Sequence, residues 1–95
     1  MPLYFSAHTT ACLTKQAIRK LMQDLLGAPE VPGVPKVTEV KVRRCVASQL
    51  GGRMITEVEA PDQATLEKFF EARFINCQWV MRIDLDAHDG CVTEF

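Results

Sequence analysis

One stretch of this chain, residues 51–74, predicts a turn, a strand and a helix in direct succession. Gly51 and Gly52 supply the backbone freedom that a tight hairpin turn needs. The sequence MITEVEA follows with the period-2 pattern of a half-buried strand. Pro61 cannot donate to a strand ladder and ends the strand, and Asp62 is a favourable helix N-cap. The stretch therefore predicts one strand of a hairpin that leads directly into a helix.

The helix after Asp62 has a single apolar stripe, with charged side chains outside it. We expect this stripe to pack in the core, and it consists of Leu66, Phe69, Phe70 and Phe74. Nothing in the stripe matches a cofactor-binding pattern. Asn76 is interpreted as the helix stop.

The remaining chain repeats this succession of strands and helices. Residues 3–8 predict a first strand, and a helix with Thr14 as its N-cap and Gly27 as its C-cap follows. Residues 37–47 predict the strand that enters the hairpin, and residues 78–86 predict the last strand. The expected order of elements is therefore βαββαβ.

Residues 28–36 join the first helix to the second strand and contain Pro29, Pro32 and Pro35. Proline fits neither a helix interior nor a central strand, so we interpret this segment as a surface connection. The alternative, a proline-rich ligand for an SH3-like partner, is disfavoured inside so small a domain. Residues 1–86 are expected to form one domain, with residues 87–95 as a C-terminal tail.

The βαββαβ order predicts an α+β, ferredoxin-like fold, with a four-stranded antiparallel sheet of order 4-1-3-2 and both helices on one face. The face beneath the helices is expected to carry Leu3, Phe5, Ala7, Val40, Val42, Val46, Met54, Val58, Trp79, Met81, Ile83 and Leu85. The uncovered face is expected to carry Tyr4, Ser6, His8, Lys41, Arg43, Cys45, Ile55, Glu57, Glu59, Val80, Arg82 and Asp84. Such a mixed face can be exposed to solvent. It can also pack against the same face of a second copy in a dimer and bind a small ligand there.

Charge and length exclude several classes of partner. The chain has 95 residues and a formal net charge of −1, which gives no reason to expect a nucleic-acid or anionic-membrane partner. No apolar run approaches the roughly 20 residues that span a bilayer. The N-terminal residues lack the features of a signal peptide, so a cytoplasmic protein with reduced thiols is expected. The four cysteines are widely spaced and follow no zinc-site pattern.

The sequences GGRMITEVEAPD and RIDL, with the opening MPLYFSAHT and the later LTKQAI, resemble a bacterial family of small ferredoxin-like proteins of unknown function. The resemblance covers residues 2–86, and its strongest piece is the EAPD junction between strand and helix. Some members of that family are described as binding or responding to nickel. The wider superfamily of dimeric α+β barrels includes small monooxygenases and isomerases. The resemblance therefore implies a homodimer formed through the sheet face, with a divalent transition metal such as nickel as a candidate ligand.

Polar residues of the uncovered face are the candidate ligand-binding residues, namely Tyr4, Ser6, His8, Arg43, Glu57 and Arg82. His8 is also the best candidate metal ligand or acid–base group, since a neutral imidazole can serve either role near pH 7. The preferred interpretation of His8 is nevertheless a surface histidine at a strand end. No further residues match a complete set of metal ligands.

Three weaker candidates have simpler alternatives. The Cys45 thiol could be activated by Arg43 and its neighbour, but an inert core thiol is preferred. Glu57 and Glu59 could act as a carboxylate pair, but pairing of Glu57 with Arg43 and of Glu59 with Lys41 across the hairpin is preferred. The acidic segment around His88 is interpreted as solvated rather than metal-binding.

The sequence thus favours a small cytoplasmic ligand- or metal-binding protein that acts as a homodimer. The alternative is a cofactor-free monooxygenase or isomerase with a pocket between sheet and helices lined by His8 or Tyr4. A third hypothesis, a protein-interaction module using the proline-rich segment or a sheet edge, has the least support. Function argued from a fold alone is analogy, so the choice among these three hypotheses depends on the geometry and chemistry of the site.

Overall fold

The computed structural model describes residues 2–27 and 40–94. In chain order its elements are β1 (Leu3–Thr9), α1 (Lys15–Gly27), β2 (Lys41–Ser48), β3 (Arg53–Glu59), α2 (Gln63–Ala72), β4 (Trp79–Ile83), β5 (Leu85–His88) and β6 (Cys91–Glu94). The expected connection at residues 28–36, its SH3-ligand alternative and the expected strand start at 37–39 lie outside the described residues.

Strands β1 to β4 form one antiparallel sheet in the order β2-β3-β1-β4, and β5 pairs with β6 in a separate two-stranded sheet. Both helices pack on the same side of this sheet. Leu25 of α1 and Phe70 of α2 belong to one buried cluster with Tyr4 and Val58 of the central strands. The predicted α+β class, with two helices and a four-stranded antiparallel sheet, is confirmed.

Both helices begin at the predicted caps. The Thr14 hydroxyl accepts a hydrogen bond from the Ala17 N–H at 3.2 Å. The Asp62 carboxylate accepts one from the Thr65 N–H at 2.7 Å, which also holds the pKa of Asp62 below its ordinary value. Each cap satisfies an amide that would otherwise lack a partner at the helix start.

The β2–β3 hairpin contains a bulge that the sequence did not reveal. Lys41 lies opposite Glu59 as expected, but the register shifts at Arg43, so Arg44 rather than Arg43 faces Glu57. The predicted facing of Arg43 and Glu57 is therefore wrong. Arg43 instead reaches the Glu59 carboxylate at 3.2 Å. A bulge adds one residue to one strand, so it reverses which face the later side chains occupy.

The predicted assignment of β1 and β4 to the two faces is also wrong. Tyr4, Ser6 and His8 are buried beneath the helices, whereas Phe5 lies on the other face. Residues that face each other in adjacent strands lie on the same face of the sheet. The face assignment of β4 is therefore reversed together with that of β1. Trp79, Met81 and Ile83 therefore lie on the uncovered face, and Val80 and Arg82 lie on the helix side. Beyond the bulge, Val46 moves to the uncovered face, whereas Cys45 moves to the helix side.

The physical reason is that apolar side chains occupy both faces of this sheet. Alternation alone identifies two sets of residues in β1 but does not say which set the helices cover. The polar set is accommodated beneath α2 because His8 finds hydrogen-bond partners there. The assignment of β3 was correct, with Met54 and Val58 buried.

The predicted last strand, residues 78–86, is wrong at its end, because β4 stops at Ile83 and Leu85, expected beneath the helices, is exposed. Leu85 begins the β5–β6 hairpin, which includes most of the predicted tail and has Asp89 and Gly90 at positive φ in its turn. Its strands are exposed throughout, with Leu85 at 62% and Val92 at 69% of full exposure. The carboxylate of Asp89 lies 3.0 Å from the His88 imidazole. In the described part of the chain, no helix combines the length and the apolar character that a membrane crossing requires.

Candidate functional site

A cavity of about 370 Å³ lies between the end of β1 and the end of α2. Its walls are residues 8–13, Leu21 of α1 and residues 73–76, and we call it the corner cavity. A volume of this size falls within the range of small-molecule sites. The cavity lies between the helices and the sheet, where the enzyme hypothesis expected a pocket lined by His8.

Two sets of hydrogen bonds hold the walls of the corner cavity. The Asn76 side chain accepts from the Thr9 N–H at 2.9 Å and donates to the Thr9 carbonyl at 3.2 Å. On the other side, the Thr10 N–H donates to the Gly52 carbonyl at 2.9 Å. Gly52 has φ +61°, and a Cβ there would lie 3.2 Å from the Ala11 backbone, so glycine is strongly favoured at this turn.

His8 forms the floor of the cavity and is only 1% exposed. Its Nδ1 lies 2.7 Å from the Asn76 carbonyl oxygen, and its Nε2 lies 3.0 Å from the Thr56 hydroxyl. A carbonyl can only accept, so Nδ1 carries the proton, and Nε2 accepts from Thr56 in the neutral ring. Burial lowers the pKa of His8, although the bond to Asn76 opposes that effect. The imidazole is therefore neutral at pH 7, with both nitrogens in use.

Thr10 lines the corner cavity and has a buried polar group beside it. The residue is 3% exposed, and its hydroxyl has no hydrogen-bond partner among the described residues. The Ser6 hydroxyl is also buried, but it lies beside the Cys77 thiol, and Ser6 does not line the cavity. A buried hydroxyl without a partner costs about 1–3 kcal/mol. Thr10 was not identified from the sequence, because a threonine between a strand and a helix carries no distinguishing signal.

The end of α2 forms the mouth of the corner cavity. Helix α2 closes with hydrogen bonds from the Phe74 N–H to the Glu71 carbonyl at 3.0 Å and from the Ile75 N–H to the Phe70 carbonyl at 3.0 Å. This capping arrangement puts Phe74 in the left-handed region at φ 56°, a position that usually holds glycine. The prediction that Phe74 belongs to the buried stripe is wrong. The helix ends at Ala72, and the Phe74 ring is 96% exposed.

Arg73, beside Phe74, is half-buried and lines the same cavity. Its guanidinium carbon lies 4.4 Å from the centre of the Phe69 ring, close enough for a cation–π contact. The sequence placed Arg73 outside the apolar stripe and gave no sign that it borders a cavity.

The second feature of interest is the sheet face opposite the helices, which we call the open face. It carries Leu3, Phe5, Ala7, Lys41, Arg44, Val46, Ile55, Glu57, Glu59, Trp79, Met81 and Ile83. Three of its large apolar side chains are exposed, with Val46 at 45%, Trp79 at 42% and Met81 at 49%. A shallow depression of about 210 Å³ lies among Phe5, Arg44, Val46, Ile55 and Glu57.

The six predicted ligand-binding residues do not come together. Tyr4, Ser6 and His8 lie beneath the helices. Arg82, also on the helix side, is largely exposed, with its Nε 3.7 Å from the Asp84 carboxylate. Glu57 belongs to the opposite side, and Arg43, at the bulge, pairs with Glu59. Of the six, only His8 lines the corner cavity.

The described residues do not fit the expected metal. Within residues 2–27 and 40–94, no three His, Cys, Asp or Glu side chains form a group that could hold a metal ion. The Nε2 lone pair of His8 is engaged by Thr56, so this ring cannot coordinate nickel without losing a buried hydrogen bond. Burial raises the pKa of Cys45, which disfavours the reactive thiolate considered from the sequence.

Comparisons with models of protein families, with curated proteins and with solved structures found no match to this chain. The resemblance described from the sequence motifs thus stays a prediction.

Proposed function

We propose that this chain binds a small organic molecule in the corner cavity and acts as a homodimer through its open face. The observation that carries the binding proposal is the corner cavity of about 370 Å³, beside which the Thr10 hydroxyl is buried without a partner among the described residues. Small-molecule sites combine a mainly apolar wall with a few polar groups that orient the ligand. A ligand oxygen or nitrogen that pairs with Thr10 would remove the penalty of its burial.

Binding is favoured over catalysis because the described residues that line the cavity offer no free base. The neutral His8 imidazole is the natural proton acceptor, but Thr56 and Asn76 occupy its two nitrogens. The alternative, a cofactor-free monooxygenase or isomerase, draws on the same cavity and requires one of these bonds to open. Nickel is not part of the proposal, since His8 lacks partner ligands among the described residues.

The homodimer is proposed from the chemistry of the open face. Exposed Trp79 and Met81 provide apolar area that a second sheet can cover. Arg44 and Glu57 face each other across β2 and β3 on the same surface. A two-fold axis brings each such patch against its own copy, so arginine of one protomer can meet glutamate of the other.

Two finer expectations belong to the same proposal. Read from the β4 edge, the sheet order is β4-β1-β3-β2, which supports assigning the four-stranded unit to the ferredoxin-like class.

A cytoplasmic location is supported by four free cysteines, Cys12, Cys45, Cys77 and Cys91, which suit a reducing compartment.

The binding proposal is tested by titrating the ¹⁵N-labelled protein with benzamide and benzoate and following amide chemical shifts. We expect saturable shifts at residues 8–13 and 73–76, with dissociation constants in the millimolar range. Leu21→Trp, which fills the cavity, should abolish them, whereas the matched change Leu50→Trp on an exposed turn should not. Absence of saturable shifts with both probes in the wild-type protein would overturn the proposal.

A further inference from the structure

The described residues that line the corner cavity carry one formal charge, and that charge is positive. Arg73 is the cation, and none of the other lining residues is Asp or Glu. Within residues 2–27 and 40–94, no carboxylate lies within ion-pair distance of Arg73. The cavity is therefore an electropositive, largely apolar space whose cation has no ion-pair partner among the described side chains.

The Phe69 ring restricts where the Arg73 side chain can lie. The guanidinium carbon lies over the ring, 4.4 Å from its centre. A cation–π contact uses no N–H donor in a hydrogen bond to a partner oxygen, and two N–H groups of a guanidinium match the two oxygens of a carboxylate. Arg73 is thus positioned for an anion at little further cost in side-chain freedom.

The carbonyl groups at the end of α2 compete little for Arg73. The Phe70 carbonyl accepts from the Arg73 and Ile75 N–H groups, and the Glu71 carbonyl accepts from the Phe74 N–H. Two of the last carbonyl groups of the helix are therefore already satisfied within the backbone. Among the described residues, no side-chain acceptor occupies the Arg73 guanidinium.

The backbone conformation and the exposure of Phe74 are an independent argument for a ligand at the mouth of the corner cavity. A non-glycine residue at φ 56° is strained, and its aromatic ring is 96% exposed at the rim of the cavity. Folding gains little from an aromatic side chain held in this position. A flat, apolar ligand body that covers the ring would recover the lost burial.

Resting on the proposed function, we propose that the ligand class is a small carboxylate with an aromatic or other flat apolar body. Arg73 binds the carboxylate, the Thr10 hydroxyl donates to a ligand oxygen, and the Phe74 ring covers the apolar part. This assignment names the ligand by its charge and shape, and no covalent step is involved.

The experiment compares benzoate with benzamide, which has nearly the same shape and no charge. Amide shifts at residues 8–13 and 73–76 give both dissociation constants at low salt and pH 7.5. We expect benzoate to bind about tenfold more tightly, the order of difference that a charge-assisted pair supplies. Arg73→Gln should remove this preference by weakening benzoate alone, and added salt should act in the same direction. Lys68→Gln, which removes an exposed cation on the same helix away from the cavity, is the matched control.

The outcomes separate the two proposals. Failure of both probes to bind overturns the proposed function and this inference with it. Equal binding of the two probes overturns the carboxylate assignment and leaves the cavity as a binding site. A benzoate preference that survives in Arg73→Gln overturns the role of Arg73. A tenfold preference lost in Arg73→Gln and retained in Lys68→Gln supports the inference.

Discussion

The imidazole of His8 stands edge-on to the ring of Phe70, with the ring centres 4.6 Å apart and an angle of 65° between the planes. This contact joins β1 to α2 at the floor of the corner cavity. Since the Thr56 and Asn76 hydrogen bonds fix the ring from its two nitrogens, His8 is held on three sides. A histidine in this setting stabilises the fold in its neutral form.

The first prediction concerns the pH dependence of stability. Burial lowers the pKa of His8 below its ordinary value of 6.5, so at acidic pH the unfolded state binds a proton that the folded state does not. The contribution of His8 to stability is therefore complete above pH 6.5 and is lost as the pH falls toward the pKa of the folded state. Urea unfolding at pH 7.5 and 5.5 should give a smaller free energy of unfolding at pH 5.5.

The matched variants are His8→Gln and His88→Gln. His88 is exposed, so its replacement should leave the difference between the two pH values nearly intact. His8→Gln should lower the free energy of unfolding at both pH values, and it should reduce the difference between them. An equal pH dependence in wild type and His8→Gln would show that His8 is not its source.

Local signals in the sequence predicted the elements of this fold well. Asp62, Thr14 and Pro61 act through neighbours in the chain, and both helix starts lie where these residues put them. The alternation around Val58 predicted a strand and also its buried side. Such signals depend on the backbone chemistry of a few consecutive residues, which a single sequence contains in full.

The orientation of β1 could not be predicted because it depends on distant partners. Tyr4, Ser6 and His8 look like an outward-facing set, yet the helices cover them. Only the pairing of His8 with Thr56, 48 positions away, shows how a buried imidazole is satisfied. The bulge at Arg43 is likewise visible only in the register with β3.

The corner cavity was beyond prediction for a similar reason. Its walls meet through the side chain of Asn76 on the backbone of Thr9, two residues that are 67 positions apart. The sequence did identify His8 as a residue of interest. Only the tertiary structure shows that Thr10 and Arg73 line the same cavity as His8.

The second prediction is that Thr10→Val stabilises the protein. Valine has nearly the shape of threonine, and the change removes a buried hydroxyl that has no partner. We expect the free energy of unfolding to rise by about 1–2 kcal/mol in urea titrations. Probe binding in the cavity should weaken by about fivefold, the equivalent of one hydrogen bond.

Thr93→Val is the control for this change, because Thr93 is exposed on the β5–β6 hairpin. It should alter neither stability nor binding appreciably. A loss of stability in Thr10→Val would mean that the hydroxyl has a partner that contributes to folding.

The third prediction concerns the strain at Phe74. Its φ of 56° suits glycine, and its ring is 96% exposed, so Phe74→Gly relieves strain and removes little burial. We expect a gain of about 1 kcal/mol in the free energy of unfolding. Phe74→Ala keeps a Cβ and should give no such gain, which separates backbone strain from loss of the ring. Equal stability of the glycine and alanine variants would contradict this account.

The fourth prediction tests the open face as the surface between two copies. Met81→Glu inserts a charge where the register puts Met81 beside Phe5, and burial of that charge in an interface is unfavourable. Light scattering after size exclusion should show the mass of a dimer for the wild type and half that mass for the variant. Leu50→Glu, at a fully exposed turn, should remain a dimer. A monomeric wild-type protein at high micromolar concentration would refute the dimer.

The fifth prediction concerns the β5–β6 hairpin. All of its strand residues are exposed, and two isolated strands gain little stability of their own in water. The amides of residues 85–94 should therefore exchange with deuterium much faster than those of β1 and β3, which lie in the middle of the four-stranded sheet. Hydrogen exchange read by mass spectrometry at several protein concentrations checks this. If protection of the hairpin rises with concentration, the second copy covers it, and the interface extends beyond the open face. Protection that is high at every concentration would contradict the exposure of Leu85 and Val92.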